Sequence, residues 1–372
     1  MNYYFDQRLI KDEIEKMKIT FSTGQTFDLV ENSNLSDFQL IDASESDDQL
    51  WNFIQQWNSK ADSFCFHTSG STGQPKVIVL TRAQLLYSAE QTLKYLHLDK
   101  DDKQLRFLLC ISPKFIGGIM LFVRAWLLNA ELHILPPHTD FSKIKQTIDL
   151  CSLVPVQIQK LIHYPQKIKL LKNVLIGGAP LSPLLEQDVK KLLSKDQHWV
   201  ATYGMTETAS HIALRPVGTA YFKGIGDVFF DTDSRGCLTL KGSITNDQTL
   251  FTNDIISLID SQTFEWSGRF DFIINSGGIK LSPEKIEKEI AQLIGSNDFM
   301  ITWIPDVKLG QKAVILHEPT TPAPPWNLSG ISKYEQPKIF LTIEKLPVKE
   351  NNKLDRIKAH QLAIALYNIK KA

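Results

Sequence analysis

Short apolar runs alternate with helical patterns along most of this 372-residue chain, and that alternation limits the fold more than any other feature. RFLLCI precedes GIMLFVRAWLL, and NVLIGG precedes SPLLEQDVKKLL. Strands separated by covering helices favour a parallel neighbour, so the pattern predicts an α/β architecture with largely parallel sheet. Several helix starts carry their own chemistry. Thr81 with Gln84 forms a capping-box pattern, followed by Leu85, Ala89, Leu93 and Leu96 at helical spacing. Ser182-Pro183 and Ser282-Pro283 each place a hydroxyl before a proline suited to a first helical turn. The helix after Ser282 is expected to bury Ile286, Ile290 and Leu293 and to stop at Gly295. No solenoid period is visible, and EPTTPAPPWNLSG reads as a loop. A glycine and two charged residues in SGRFD, around Ser267 to Asp271, mark the best domain boundary.

Lysine plus arginine equals aspartate plus glutamate, so no global field attracts nucleic acid or an anionic membrane, and neither is expected as a partner. Any anion must be held by local groups. The start, MNYYFDQRLIKDEIEK, lacks the layout of a secretory signal, and FIGGIMLFVRAWLL is shorter than a bilayer span and carries Arg124. Cys65, Cys110, Cys151 and Cys237 form no CxxC pair, and Cys65 and Cys110 sit in apolar runs. Reduced, buried thiols in a cytoplasmic protein are the expectation.

The stretch FHTSGSTGQPKVIVLTR, from Phe66 to Arg82, carries the most chemistry. DSFCFHT reads as a strand, SGSTGQPK as a loop and VIVLTR as the return to the capped helix. Gly70 and Gly73 let backbone N–H groups turn towards a ligand, while Thr68, Ser69, Ser71 and Thr72 offer hydroxyls and Lys76 a point charge. Polyphosphate oxygens need such donors to replace water. The nucleotide-hydrolase pattern G-x-x-x-x-G-K-[ST] fails, because its second glycine falls on Pro75 and Val77 follows Lys76. Taken alone, the loop also reads as a flexible Ser/Gly turn.

That loop resembles the phosphate-loop signature of adenylate-forming enzymes, the superfamily of acyl-CoA synthetases, carrier-protein adenylation domains and luciferases. Further segments resemble the family in the same order: IGGAP (176–180), YGMTET (203–208), FTNDI with Asp254, GRFDFIINSGGIKLSPEKIE (268–287) and LPVKENNKLDR (346–356). The resemblance spans roughly residues 64–357. It implies a large N-terminal domain of mixed, largely parallel sheets with helices, here 1–268, and a small mobile C-terminal α+β domain, here 269–372.

It also implies roles. ATP would be bound by Thr68, Ser69, Gly70, Ser71, Thr72, Gly73 and Lys76, and by Gly178, Ala179 and Pro180. Tyr203 would lie against adenine, followed by Gly204 and Met205, while Asp254 and Arg269 would fix the ribose. Thr206 would donate to the α-phosphate, Glu207 would ligate Mg2+, and Lys353 would neutralise charge as a carboxylate attacks that phosphate. Asp271 would be the hinge, and Gly277 and Gly278 would line the path of coenzyme A. Without the family context, Lys353 and Glu207 read as surface charges, Tyr203 as core, Asp254 with Arg269 as a structural ion pair, and Gly277-Gly278 as a hairpin turn.

Departures from the family pattern are present. Asn352 stands where many relatives have glycine, the histidine expected in SPKFIGG is absent, and the segment before the phosphate loop is shorter than in most relatives. Length and YGMTETASHIALR resemble most closely the o-succinylbenzoate–CoA ligases of menaquinone biosynthesis. Their acid has two carboxylates, one of which is activated, so the other needs a cation or strong donors. Ser210, His211 and Arg215 are candidates for binding the acid, with Lys114 and Arg124 upstream. A helix after Glu207 would present Ser210 and His211 to the pocket, although His211 reads equally as a core histidine. A ligase for another aryl or medium-chain acid, a carrier-protein loader and a nucleotide-binding pseudoenzyme are the alternatives. The oligomeric state is not legible.

Overall fold

The computed structural model describes residues 17–30, 40, 43–68, 76–99, 104–137, 140–349 and 354–371. The chain runs through β1 (Met17–Thr20), β2 (Thr26–Leu29), α1 (Glu45–Asn58), β3 (Ser63–Thr68), β4 (Lys76–Thr81), α2 (Arg82–Tyr95), β5 (Arg106–Leu109) and α3 (Ile116–Leu128). It continues with β6 (Glu131–Ile134), β7 (Ile148–Leu153), α4 (Pro155–Leu161), α5 (Pro165–Ile168), β8 (Leu171–Ile176), α6 (Pro183–Leu192), β9 (His198–Gly204), β10 (His211–Pro216) and β11 (Phe222–Gly224). Then follow β12 (Phe229–Thr232), β13 (Cys237–Lys241), β14 (Leu250–Asp260), β15 (Thr263–Arg269), β16 (Ile274–Ser276), β17 (Ile279–Leu281) and α7 (Pro283–Ile294). Last come β18 (Phe299–Asp306), β19 (Gly310–His317), β20 (Phe340–Thr342) and α8 (Arg356–Lys371). Two compact units result. One holds the described residues up to Gly177 with Val189–Phe229 and Lys241–Thr249; the other holds Gly178–Asp188, Phe230–Leu240 and the described residues from Leu250 onward.

In the first unit the strands lie in the order β11-β10-β9-β8-β7-β5-β6-β1-β2. Neighbours from β9 through to β1 are parallel, whereas β10, β11 and β2 pair antiparallel at the margins. This is the expected α/β sheet. β7, at its centre, is buried along its whole length, as a parallel strand covered on both faces must be. Its one carboxylate, Asp149, accepts from the Arg106 backbone N–H and from Lys172 Nζ, each at 2.9 Å. α3 is apolar almost all round and buried, and ends at Asn129 in the left-handed region (φ 53°), where asparagine is tolerated as a helix stop. The capping box of α2 forms as expected. Thr81 Oγ1 accepts from the Gln84 N–H at 3.2 Å, Gln84 Oε1 accepts from the Thr81 N–H at 3.0 Å, and Leu85, Ala89, Leu93 and Leu96 are all buried.

β3 and β4 form a separate antiparallel hairpin. Phe64 and Phe66 face inward, Phe64 stacking on Trp57 at 5.4 Å. Here one expectation fails: Cys65 is exposed, while Cys110, Cys151 and Cys237 are buried. A two-stranded ribbon buries one face, so the residue between two inward phenylalanines must point out.

In the second unit the strands lie in the order β12-β13-β14-β15, with β13, β14 and β15 antiparallel to one another in turn, and β17-β16-β19-β18 form a smaller sheet with β20 parallel to β19. α7 and α8 pack against β18. α7 ends at Gly295 as expected (φ 69°) and buries Ile286, Ile290 and Ala291. Leu293 corrects the reading, being 50 % exposed; it sits in the last turn, with the loop around Gly330 as its neighbour. The proline-rich stretch between β19 and β20 is a loop, and its Trp326 enters the core beside Phe299.

Candidate active site

β8 and β9 run parallel in register (Ile176 opposite Ala201), so both end at one edge of the sheet. Ligands of parallel α/β sheets bind at the carboxyl ends of strands. Gly178, Ala179 and Pro180 follow β8, with Gly178 in the left-handed region (φ 83°), and Gly204 and Met205 close β9. A Cβ on Gly177 would stand 2.7 Å from Thr202 Oγ1, and one on Gly204 would run into the Ser210 carbonyl and His211 Cα. Backbones thus cross closely where β9 gives way to β10.

Thr206–Thr208 form one 3-10 turn, ended by Ala209 in the left-handed region (φ 56°). No helix follows Glu207. The chain reverses instead into β10, antiparallel to β9, so Ser210 and His211 lie at a turn and a strand start rather than on helical turns. Thr208 ties the turn: its Oγ1 accepts from the Met205 N–H at 3.1 Å and lies 3.0 Å from the Met205 carbonyl and 2.7 Å from that of Ser210. Thr206 and Glu207 remain half-buried. β4 packs beside this turn, and Lys76 opens β4 with an exposed side chain, opposite Thr68 in register. Tyr203 is half-buried, its ring 5.8 Å from that of Phe222. Ser69, Gly70, Ser71, Thr72, Gly73, Asn352 and Lys353 lie outside the described residues, and of Thr68 only the backbone is described.

Behind the turn is a buried polar chain. Arg124 Nη2 donates to Ser210 Oγ at 3.1 Å, Ser210 Oγ lies 3.3 Å from His211 Nδ1, and Thr92 Oγ1 lies 2.8 Å from His211 Nε2. Burial, with the Arg124 charge nearby, holds the His211 imidazole well below its ordinary range, so it is neutral. Burial likewise pulls the Arg124 guanidinium down to about 9. Arg215, by contrast, donates to the Thr219 carbonyl and lies 5.4 Å over the Phe222 ring. Lys114 is exposed.

In the second unit Asp254 on β14 is directly opposite Arg269 on β15. Their charged atoms are 3.8 Å apart, Trp266 Nε1 donates to Asp254 Oδ1 at 3.1 Å, and Arg269 Nη2 reaches Asp271 Oδ2 at 2.6 Å. Asn253 Nδ2 donates to Asp271 Oδ1 at 2.9 Å. Gly277 and Gly278 both take positive φ (60° and 85°) in the turn joining β16 to β17. A Cβ on Gly277 would meet Leu309 Cδ2 at 2.9 Å, whereas Gly278 has open space.

One cluster escaped the sequence reading. Arg356, at the start of α8, donates to both oxygens of Glu287 at 3.0 and 2.5 Å, and its Nε is 3.4 Å from Glu284 Oε1. It also lies 5.4 Å over the Phe272 ring. Burial pushes Glu284 up to about 7 against the opposing pull of Arg356, and the two carboxylates hold Arg356 above its usual range. The available signal was two glutamates a helical turn apart in SPEKIE.

Among the described residues no group of three or more His, Cys, Asp or Glu could cage a metal. A single carboxylate such as Glu207 still suits Mg2+, which keeps waters and shares its shell with phosphate oxygens. No helix among the described residues is long and apolar enough to cross a membrane.

Known proteins resemble this chain in sequence and in fold. Residues 7–235 match the family of AMP-binding enzymes. A 2-succinylbenzoate–CoA ligase of Listeria monocytogenes is 27% identical over 393 aligned residues, covering 95% of this chain and 82% of that ligase. One from Haemophilus influenzae is 26% identical over 82% of this chain and 73% of its own length. The crystal structure of an AMP-forming acyl-CoA synthetase/AMP-acid ligase II-like protein from Dyadobacter fermentans is 33% identical, covers 87% of this chain and 96% of its own, and superposes with a TM-score of 0.55. The O-succinylbenzoate coenzyme A synthetase of Bacillus subtilis, in complex with ATP and magnesium, has a TM-score of 0.66 at 19% identity over 79% of this chain and 69% of its own. With the family match covering residues 7–235 and a relative of known structure 33% identical over 87% of the chain, this chain belongs to the AMP-binding enzymes.

Proposed function

We propose that the chain is a cytoplasmic AMP-forming acid–CoA ligase acting on o-succinylbenzoate. A carboxylate oxygen attacks the α-phosphorus of ATP, the bond to the β-phosphate oxygen breaks, and pyrophosphate leaves. The thiol of coenzyme A then attacks the acyl carbon, loses its proton and displaces AMP. The observation that carries this reading is the turn Thr206–Glu207, pinned by Thr208 at the carboxyl end of β9 and flanked by β4, which leads out of the phosphate loop. Relatives named 2-succinylbenzoate–CoA ligase match most of the chain and support the acid.

In this reading Thr206 donates to the α-phosphate, and Thr72 and Lys76 hold the outer phosphates within the loop that Thr68, Ser69, Gly70, Ser71 and Gly73 complete. Gly178, Ala179, Pro180, Tyr203, Gly204 and Met205 hold the adenine, and Asp254 with Arg269 the ribose. Glu207 would hold Mg2+, which supplies positive charge against the phosphate oxygens when bound. Lys353 meets charge at the attacking carboxylate. Asp271 is the pivot at a domain boundary between residues 268 and 269, and Gly277 and Gly278 keep a path open for coenzyme A. Ser210, His211 and Arg215 belong to the acid side.

The test is acid-dependent exchange of labelled pyrophosphate into ATP, with o-succinylbenzoate tried first, followed by a product mass spectrum with coenzyme A. Exchange lost in Lys353→Ala supports the mechanism. Exchange unaffected by that substitution removes it, and no exchange with any acid indicates a nucleotide-binding pseudoenzyme.

A further inference from the structure

Phe270–Phe272, the 3-10 turn that joins β15 to β16, contains no buried residue, so core packing alone does not fix where it points. Polar groups do. Asp271 Oδ2 accepts from Arg269 Nη2 at 2.6 Å, and its Oδ1 accepts from Asn253 Nδ2 at 2.9 Å. Asn253, on β14, is itself held, because its Oδ1 accepts from Arg235 Nη1 at 2.9 Å. Arg235 lies in the turn between β12 and β13 and is aimed by two further bonds, Nε to Asp233 Oδ2 at 2.8 Å and Nη2 to the Thr252 carbonyl at 3.0 Å. Its guanidinium also stands 5.1 Å over the Phe270 ring, and Lys280 Nζ on β17 is 5.8 Å from the same ring.

The run Arg235–Asn253–Asp271 differs in kind from the Arg356 cluster. The Arg356 side chain is 14% exposed, that of Arg235 39%. Where water reaches the partners, a broken bond is replaced by one to water, so such contacts orient a segment without locking it. Any rotation of the chain at Asp271 relative to β14 draws the carboxylate off Asn253 and the Phe270 ring away from Arg235. The contacts therefore select one arrangement of the turn, the one in which Arg269 also faces Asp254, and oppose departures from it only weakly.

We propose that Arg235 and Asn253 are positioning residues, a clasp on Phe270 and Asp271 that favours the nucleotide-facing arrangement of Arg269 during adenylation and releases for thiolysis. This deepens the ligase reading and rests on its assignment of Asp271 as the pivot and of Arg269 with Asp254 to the ribose. Neither clasp residue meets the reacting atoms in that assignment. Both act through Asp271, so loosening them should slow one half-reaction and spare the other.

The experiment measures the two half-reactions separately on the full chain, in wild type, Asn253→Ala, Arg235→Met and the double variant. Adenylation is read as acid-dependent pyrophosphate exchange. Thiolysis is read by forming the acyl-adenylate on the enzyme and chasing it with coenzyme A in a single turnover. Exchange should fall about 10-fold in Asn253→Ala, through KM for ATP, while the thiolysis rate is unchanged or higher. Arg235→Met should shift the ratio of the two rates in the same direction, and the double variant should do no more than the larger single, because Arg235 works through Asn253. Melting temperatures should stay within about 2 °C of wild type, as expected for exposed contacts. An equal fall in both half-reactions, a ratio unchanged in both single variants, or melting lowered by more than about 5 °C makes these residues ordinary structural ties and overturns the clasp. A wild type that exchanges pyrophosphate with no acid overturns the ligase reading, and the clasp with it.

Discussion

Arg269 holds Asp271 at 2.6 Å within the short segment leading out of β15, while facing Asp254 across the ribbon at 3.8 Å. The tighter partner is therefore the proposed hinge residue, not the proposed ribose acid. Asp271 is further gripped by Asn253. Both side chains of the short pair are about a third exposed, so the pair itself contributes less than ~1 kcal/mol. Asp271→Ala should then shift the melting temperature little while raising the KM for ATP several-fold, as Arg269 loses the group that aims it. Thermal melts and pyrophosphate exchange, run on the same preparation, check this.

Gly204→Ala should be far more damaging than Gly278→Ala. The first places a methyl group into the Ser210 backbone, which cannot yield because β9 and β10 are paired there; the second meets nothing and only strains a positive φ. Losses of at least ~3 kcal/mol and about 1 kcal/mol are expected, read as denaturant midpoints. Similar midpoints for the two variants would refute the close crossing.

Glu284 gives the second unit a pH dependence. Its carboxyl is raised from 4.5 to about 7, mainly by burial, so the folded state binds the proton more tightly than the unfolded chain does. Stability should be highest below pH 4.5 as far as this group is concerned, and decline by up to about 3 kcal/mol as pH rises through 7. Glu284→Gln should flatten the decline between pH 5.5 and 8. Melts across that range decide it.

Arg356→Met should cost about 3–5 kcal/mol, because Glu287 and Glu284 would be left as an unneutralised and mostly buried pair. Adding Glu287→Gln should restore part of the loss. A single variant no less stable than wild type would show that the cluster is not a structural tie.

Of the four cysteines, Cys65 alone should react with a maleimide in the native protein. Burial pushes the Cys110 thiol up to about 12 and Cys151 well above its ordinary value, which suppresses the thiolate required. Intact-mass spectrometry should show one adduct before denaturation and four after.

Much of the local structure was legible because local interactions specify it. Thr81 and Gln84 satisfy one another's backbone within four residues, and Gly295 stops α7 where no side chain opposes a positive φ. The strand and turn that carry Tyr203 to Thr208 were legible as a motif, yet the helix expected after Glu207 was not formed. A left-handed Ala209 cannot be read from propensity, and the Thr208 bonds that hold it become available only once β10 returns beside β9.

Sequence by itself determined the alternation of strands and helices and the capped starts, since each depends on side-chain period and on neighbours a few residues away. Only the tertiary structure decided that Cys65 faces out, that Arg124 is buried, and that Arg356 closes on Glu284 and Glu287. Those outcomes turn on which distant surfaces exclude water around a given atom, a quantity set by packing between elements and absent from any local pattern.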